Sequence, residues 1–477
     1  MKKFLLISTL LCIALTIHAQ DITGSWQGSL PANGKEVRLI FHITGSPNNY
    51  SATFDSPDQN AYGLACSSTT VEKDSLLIGI QLIKGSYHGK WDGADEIKGI
   101  YSQNGGSTSM IMKRLPKTGL PKNPATEPKP QTPKPPFSYT SEEVVFENSS
   151  QKVQLAGTFT KPANGTKFPV VLLITGSGAQ DRDERIGMHK PFFLFADHLA
   201  KQGIAVLRVD DRGVGKSTGD FMKATSADFA TDVMAGIAYL KTRNDIDPKK
   251  IGLMGHSEGG MIAPYVAARS KDVAFIVMLA GPVVVGKKTM YFQAVEQPLA
   301  DETAYTRKAY GEFYKSMLAI ALDSTRNKNM DTSVRNAYFK WKKQTPDSTF
   351  KILFPATDEE LTIQALTVGF SDLKRPWWQF FLTYDPKKDV SSLQIPVLAL
   401  NGEKDKQVDP KANLALINEL LTKNGNKHFK TYEVPGVNHL FQHCKECGSV
   451  NEYLALEETF DSTTLNMISD WIKIQVK

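Results

Sequence analysis

The sequence predicts two folded units of different class: a small all-β barrel or sandwich, then an α/β domain with a mostly parallel, doubly wound sheet and a mainly helical insertion. Three observations carry this. Residues 21–114 alternate apolar and polar positions with the period of two that marks half-buried strands. A proline-dense stretch follows over 115–136, and from 137 to 477 apolar strands alternate with helical stretches. The chain, at 477 residues, is also longer than one hydrophobic core usually organises.

Residues 1–20 read as a secretory signal peptide. Lys2 and Lys3 precede an apolar run over 4–17, and His18-Ala19-Gln20 leads into polar sequence. The expectation is export to the periplasm or beyond, with no stable membrane insertion after cleavage, because the run is too short for a convincing span. Leu11 stands before Cys12 where a lipoprotein signal carries a small residue, so lipidation is not expected.

In the β domain, Val37, Leu39, Phe41 and Ile43 alternate with polar neighbours such as Arg38 and His42, and further strands are predicted at 50–54, 75–82, 86–91, 96–101 and 108–112. Trp26 is read as a core plug. Prolines 116, 121, 124, 128, 130, 133, 135 and 136 make 115–136 a semi-rigid linker of polyproline character.

In the α/β domain, strands are predicted at 168–174, 204–209, 251–254, 273–279, 396–400 and 428–434. Helices are predicted at 191–202, 227–242, 258–269, 413–421 and 465–474. The alternation lapses over 285–388, a cap-like insertion. Its aromatic cluster from Arg375 to Phe381 either fixes the insertion to the main core or lines an acyl pocket.

The formal charge of +6 comes from 56 basic and 50 acidic residues without a long basic run, so no nucleic-acid partner is implied. Without the leader, three cysteines remain. Cys444 and Cys447 have C-x-x-C spacing with no second such pair, which excludes a four-cysteine zinc site and favours a structural cross-link or free thiols over metal or redox chemistry.

Gly255-His256-Ser257-Glu258-Gly259 fits G-x-S-x-G between a strand and a helix, the setting in which a serine sits on a sharp, exposed turn. Ser257 is the candidate nucleophile, and the helix behind it places partial positive charge where an oxyanion would form. Gly215-Lys216-Ser217-Thr218-Gly219 has the same spelling but no strand directly before it. As a phosphate loop it would need glycine where Asp210 stands. That loop is read as structural, with Asp211 and Arg212 in local ion pairs.

A serine needs a base, and the base needs an orienting carboxylate, which follow in the order Ser, Asp or Glu, His. Of nine histidines only His428, His439 and His443 come late enough. His428 opens a strand and is expected to point into the sheet layer. His439 lies on the loop after that strand and is the candidate base. Asp405 is the candidate acid, with Glu403 the alternative and Asp409 better placed to cap the next helix. The oxyanion donors are read as the N–H groups of Glu258 and of Ser177 in Thr175-Gly176-Ser177-Gly178-Ala179, with Gly178 the alternative. Residues 180–184 are read as a solvated structural loop.

From Phe137 onward the chain resembles the bacterial α/β-hydrolase esterases related to the Thermotoga carboxylesterase D group. The stretches that carry this are Gly176-Ser177-Gly178-Ala179-Gln180-Asp181-Arg182-Asp183, Asp211-Arg212-Gly213-Val214-Gly215-Lys216-Ser217, Gly255 to Gly260, Asn401-Gly402-Glu403-Lys404-Asp405 and Asn438-His439-Leu440-Phe441. The resemblance implies an α/β-hydrolase fold and hydrolysis of short-chain carboxylic esters by Ser257, Asp405 and His439, with no metal or other cofactor. The implied substrate is a small-molecule ester, acylated sugars among them. Motif similarity to serine peptidases of the prolyl-oligopeptidase and proline-aminopeptidase kind keeps peptide hydrolysis as an alternative. A third reading makes the β domain a glycan or envelope binding module, with hydrolysis secondary.

Overall fold

The computed structural model describes residues 21–477 apart from 33–34, 47–48, 60, 81–84, 92–94, 104–105, 117–127, 355–358 and 449. The leader read at 1–20 and part of the proline-rich stretch therefore lie outside the described residues. The chain forms two compact units, Met1–Glu127 and Pro128–Lys477.

Among the described residues the first unit is one antiparallel sheet of nine strands: β1 (Gly24–Ala32), β2 (Lys35–Ser46), β3 (Asn49–Ser56), β4 (Ala61–Ala65), β5 (Ser68–Glu72), β6 (Ser75–Ile80), β7 (Gly85–Trp91), β8 (Glu96–Gln103) and β9 (Gly106–Arg114). Their order is β4-β3-β2-β1-β9-β8-β7-β6-β5, a meander in which β1 returns to pair with β9. Trp26 is fully buried among Phe41, Tyr87 and Met112, and its Nε1 donates to the Ile22 carbonyl at 2.8 Å. It is a plug in the core. Strands β1, β4 and β5 were not predicted: Gly28 and Pro31 interrupt β1, and β5 is polar at four of its five positions.

Among the described residues the second unit has eight strands: β10 (Tyr139–Asn148), β11 (Val153–Pro162), β12 (Phe168–Ile174), β13 (Ala205–Val209), β14 (Ile246–His256), β15 (Phe275–Leu279), β16 (Val397–Gly402) and β17 (Phe429–Val434), in the order β10-β11-β13-β12-β14-β15-β16-β17. The run from β13 to β17 is parallel, and β10 and β11 extend it antiparallel at one edge. Its helices are α1 (Pro191–Lys201), α2 (Ser226–Lys241), α3 (Glu258–Ala267), α4 (Gly286–Tyr291), α5 (Ala304–Leu322), α6 (Met330–Gln344), α7 (Asp347–Leu353), α8 (Glu359–Asp372), α9 (Pro376–Thr383), α10 (Lys387–Val390), α11 (Pro410–Lys423), α12 (Val450–Ala455) and α13 (Ser462–Gln475).

Strand β12 explains the two-layered covering. Val170, Leu172 and Ile174 face one core, shared with α2, α3 and α11, while Val171 and Leu173 face the other, shared with α1 and α13. Helices α4 to α10 lie between β15 and β16 as the cap and hold a core of their own around Phe313, Tyr338 and Trp341, joined by Met261 of α3. Residues 128–136 belong to the second unit, not to a linker. Lys129 Nζ donates to the Leu454 carbonyl at 2.9 Å and Gln131 Nε2 to the Phe460 carbonyl at 2.8 Å. Among the described residues no helix is long and apolar enough to cross a membrane.

Candidate active site

Ser257 occupies the turn between β14 and α3 with φ 51° and ψ −115°, a backbone state that side chains rarely adopt. The turn is possible because glycines stand two positions away on each side, at 255 and 259. A Cβ on Gly255 would lie 2.0 Å from the Gly259 carbonyl oxygen, and one on Gly259 would lie 2.1 Å from that of Ile174. The Ser257 N–H donates to the Leu279 carbonyl at 2.8 Å, which ties the turn to the end of β15.

The carboxyl ends of β16 and β17 bring Asp405 and His439 together, with Asp405 Oδ2 2.7 Å from His439 Nδ1 and both residues buried. Asp405 Oδ1 accepts from the N–H groups of Gln407 and Val408 at 2.7 and 2.9 Å, and Asn401 Nδ2 reaches Oδ2 at 3.2 Å. The carboxylate is thus fixed from several sides, and it fixes the imidazole in turn. Ser257, His439, Ser177, Gly178 and Glu258 all line one cavity of about 560 Å³, which Trp377 and Trp378 of the cap also wall.

The alternatives separate clearly. Glu403 is exposed and accepts from the Gly436 N–H at 2.8 Å, so it braces the loop that carries His439, whose ring pairs with Asp405 instead. Asp409 caps α11 through the N–H groups of Lys411 and Ala412 at 3.0 and 3.1 Å. His428 does not enter the sheet layer; β17 is an edge strand, and His428 beside it is exposed. His443 pairs with Glu458.

In the loop from Thr175 to Ala179 the Gly176 N–H is already taken, donating to Glu184 Oε1 at 2.6 Å. Among the described residues, no protein acceptor engages the N–H of Ser177 or of Glu258. The Glu258 side chain is buried, and its Oε1 accepts from Ser226 Oγ at 2.6 Å and Trp377 Nε1 at 2.7 Å. Burial raises its pKa above the ordinary glutamate value, and hydrogen bonds from Ser226, Trp377 and Ser177 work against that shift.

Several loop expectations are corrected. Residues 180–184 are not a solvated loop. Arg182 pairs with Asp210 at 2.7 Å and Glu143 at 2.8 Å, Asp183 pairs with Arg208, and Glu184 is buried. Asp211 and Arg212 do not form the expected set of local ion pairs. Arg212 reaches Asp232 at 2.7 Å, whereas Asp211 accepts from Thr175 Oγ1 at 2.7 Å and the Gln180 N–H at 2.9 Å. Burial holds the Asp211 pKa well above the usual carboxylate range. Ser217 of the second G-x-S-x-G is buried, donates to the Asp210 carbonyl at 2.8 Å and accepts from the Ala156 N–H at 2.9 Å, a structural role. Cys444 and Cys447 are joined as a disulfide, and Cys66 is free.

Sequence reasoning missed His256 and Glu184. His256 is buried, with Nδ1 3.0 Å from Glu184 Oε1 and Nε2 3.1 Å from the His439 carbonyl oxygen. Burial opposes a charge on His256, but the Glu184 carboxylate and the His439 carbonyl overcome it, so its pKa stands above the ordinary histidine value.

The second unit is an α/β-hydrolase fold, defined by this sheet, the serine turn after β14 and the helical cap before β16. A family model described as serine aminopeptidase, S33, matches residues 188–347, a span that contains Ser257 and stops before Asp405 and His439. Esterase EstD of Thermotoga maritima is 26% identical over 318 residues, 67% of this chain and 65% of the relative, so the match takes in less than two thirds of EstD. Putative hydrolase YtaP of Bacillus subtilis is 30% identical over 103 residues, 19% of this chain and 33% of its own length. Among solved structures, the Pyrococcus furiosus esterase Pf2001 aligns with a TM-score of 0.42 at 17% identity, covering 73% of this chain and 97% of that one.

Proposed function

We propose that the protein is a serine hydrolase that cleaves carboxylic esters through an acyl-enzyme. The observation that carries this is the buried Asp405–His439 pair at 2.7 Å, whose His439 lines the same cavity as the strained Ser257 turn. Ser257 Oγ attacks the ester carbonyl carbon while His439 Nε2 takes the hydroxyl proton, and the resulting imidazolium is held by Asp405. The N–H groups of Glu258 and Ser177 receive the oxyanion. His439 returns the proton to the departing alcohol oxygen, and water then attacks the acyl-enzyme with His439 again as base. We assign esters of small acyl groups to the cavity, acylated sugars among them, with Trp377 and Trp378 along its wall. Similarity to EstD supports an ester over an amide. The leader-like segment at 1–20, together with the Cys444–Cys447 disulfide, supports export to an oxidising compartment.

The test is turnover of short-chain nitrophenyl esters beside aminoacyl-naphthylamides by wild type and Ser257→Ala. Ester turnover lost in the variant is expected. Faster hydrolysis of the naphthylamides would make the protein a peptidase, and equal ester turnover by the variant would remove Ser257 from the mechanism.

A further inference from the structure

The two residues beside Ser257 in its motif both carry buried side chains, and the one on the amino-terminal side joins three separate parts of the site. Glu184 Oε1 accepts from the Gly176 N–H at 2.6 Å, so it holds the start of the oxyanion loop. The same oxygen lies 3.0 Å from His256 Nδ1. On the far side of the ring, His256 Nε2 lies 3.1 Å from the backbone carbonyl of His439. That carbonyl can only accept, so Nε2 carries a hydrogen and donates it. The His256 ring also stands against the His439 ring, 4.9 Å between centroids. Gly176 is what permits this closeness, because a Cβ there would come within 3.2 Å of Glu184 Oε1 and 3.3 Å of Ser257 Cβ.

We propose that Glu184 and His256 act as one positioning unit, which sets the backbone of His439 and the oxyanion loop relative to Ser257. The inference rests on the serine hydrolase reading above. The unit touches no substrate. Its effect runs through the base and through the amides that follow Gly176. A displacement of either by about 1 Å is enough to lower turnover roughly 100-fold while leaving binding in the cavity largely intact. A buried pair that served stability alone would lower the melting temperature and leave the kinetics of the folded fraction unchanged.

The experiment is steady-state ester hydrolysis by the full chain carrying Glu184→Gln, Glu184→Ala, His256→Gln, His256→Phe and the double change Glu184→Ala/His256→Phe, each corrected for its folded fraction. We expect kcat to fall about 100-fold for Glu184→Ala and His256→Phe with KM within about threefold. The double variant should be no worse than the singles, because the pair works as a unit. Glu184→Gln keeps an acceptor oxygen for Gly176, and His256→Gln keeps a donor for the His439 carbonyl, so both should recover part of the loss. Those two near-isosteric variants keep the test valid if the truncations fail to fold. A kcat within twofold of wild type in both Glu184→Ala and His256→Phe, or a loss in them carried by KM alone, overturns the proposal; if neither truncation folds, a kcat within twofold of wild type in both Glu184→Gln and His256→Gln overturns it. Wild type without ester turnover would instead overturn the hydrolase reading itself, so the two failures are distinguishable.

Discussion

Trp377 Nε1 donates to Glu258 Oε1 across 2.7 Å, which fastens helix α9 of the cap to the residue that follows Ser257. The same carboxyl oxygen accepts from Ser226 Oγ at 2.6 Å, and the Trp377 ring stacks on Phe381 at 5.2 Å. Cap position and serine turn are therefore coupled through one buried carboxyl. Trp377→Phe keeps most of the ring contact and removes the donor. It should lower stability by about 1 kcal/mol in urea denaturation and raise KM for nitrophenyl esters more than it lowers kcat. An unchanged KM would mean the cap is seated by its apolar contacts alone.

The same carboxyl makes stability depend on pH. Burial raises the Glu258 pKa in the folded state above its unfolded value, so the native protein holds this proton more firmly. The contribution is fully present below the unfolded glutamate range and is lost as pH rises through the folded value. Glu258→Gln retains the acceptor for Trp377 and Ser226 without that titration. Melting temperatures should thus shift in favour of the variant as pH rises from about 5 to about 8. A difference between the two proteins that stays flat with pH contradicts this.

Asp405 and Glu403 leave the same strand end, but only Asp405 meets His439. Asp405→Asn should reduce kcat by about 10⁴-fold with little change in KM, because an amide donor no longer holds the productive imidazole tautomer. Glu403→Gln keeps an oxygen for the Gly436 N–H and should stay within roughly threefold of wild type. Comparable losses in both would mean the acid has been misassigned.

The serine turn is set by steric contact. A Cβ on Gly259 would sit 2.1 Å from the Ile174 carbonyl oxygen, whereas one on Gly369 in α8 meets nothing within 4 Å. Gly259→Ala should cost more than about 3 kcal/mol, and Gly369→Ala should stabilise by up to about 1 kcal/mol through helix propensity. Chemical denaturation of the two variants side by side measures both. A mild effect at Gly259 would mean that β12 and α3 can separate more easily than their packing indicates.

The parts of the site legible in the sequence are those with a local signature. Ser257 is singled out by its glycines and the strand before it, and Asp405 and His439 by their places just after two late strands. Glu184 gave no such sign. It sits in a charged run with the composition of a solvated loop, and its partner His256 is 72 residues away. Only the order β13-β12-β14 brings them together. The ion pairs of Arg182 and Asp183 have the same origin. Strand β10 was missed because its first half is mostly polar, as befits an edge, and His428 was misplaced because nothing local marks β17 as an edge. The aromatic run of α9 could not be divided by period, since it is aromatic on more than one face. The structure assigns Phe381 to the cap core and places Trp377 and Trp378 along the cavity wall, with Phe381 also reaching it.

Acylation of Ser257 is the step on which the proposed hydrolysis depends. Peptide mass mapping after brief reaction with a nitrophenyl ester, or after treatment with a fluorophosphonate, tests this most directly, because the chain contains a second G-x-S-x-G around Ser217. A single adduct is expected on the peptide that contains Ser257, absent in Ser257→Ala. An adduct on the Ser217 peptide, or turnover with no adduct at Ser257, would contradict it.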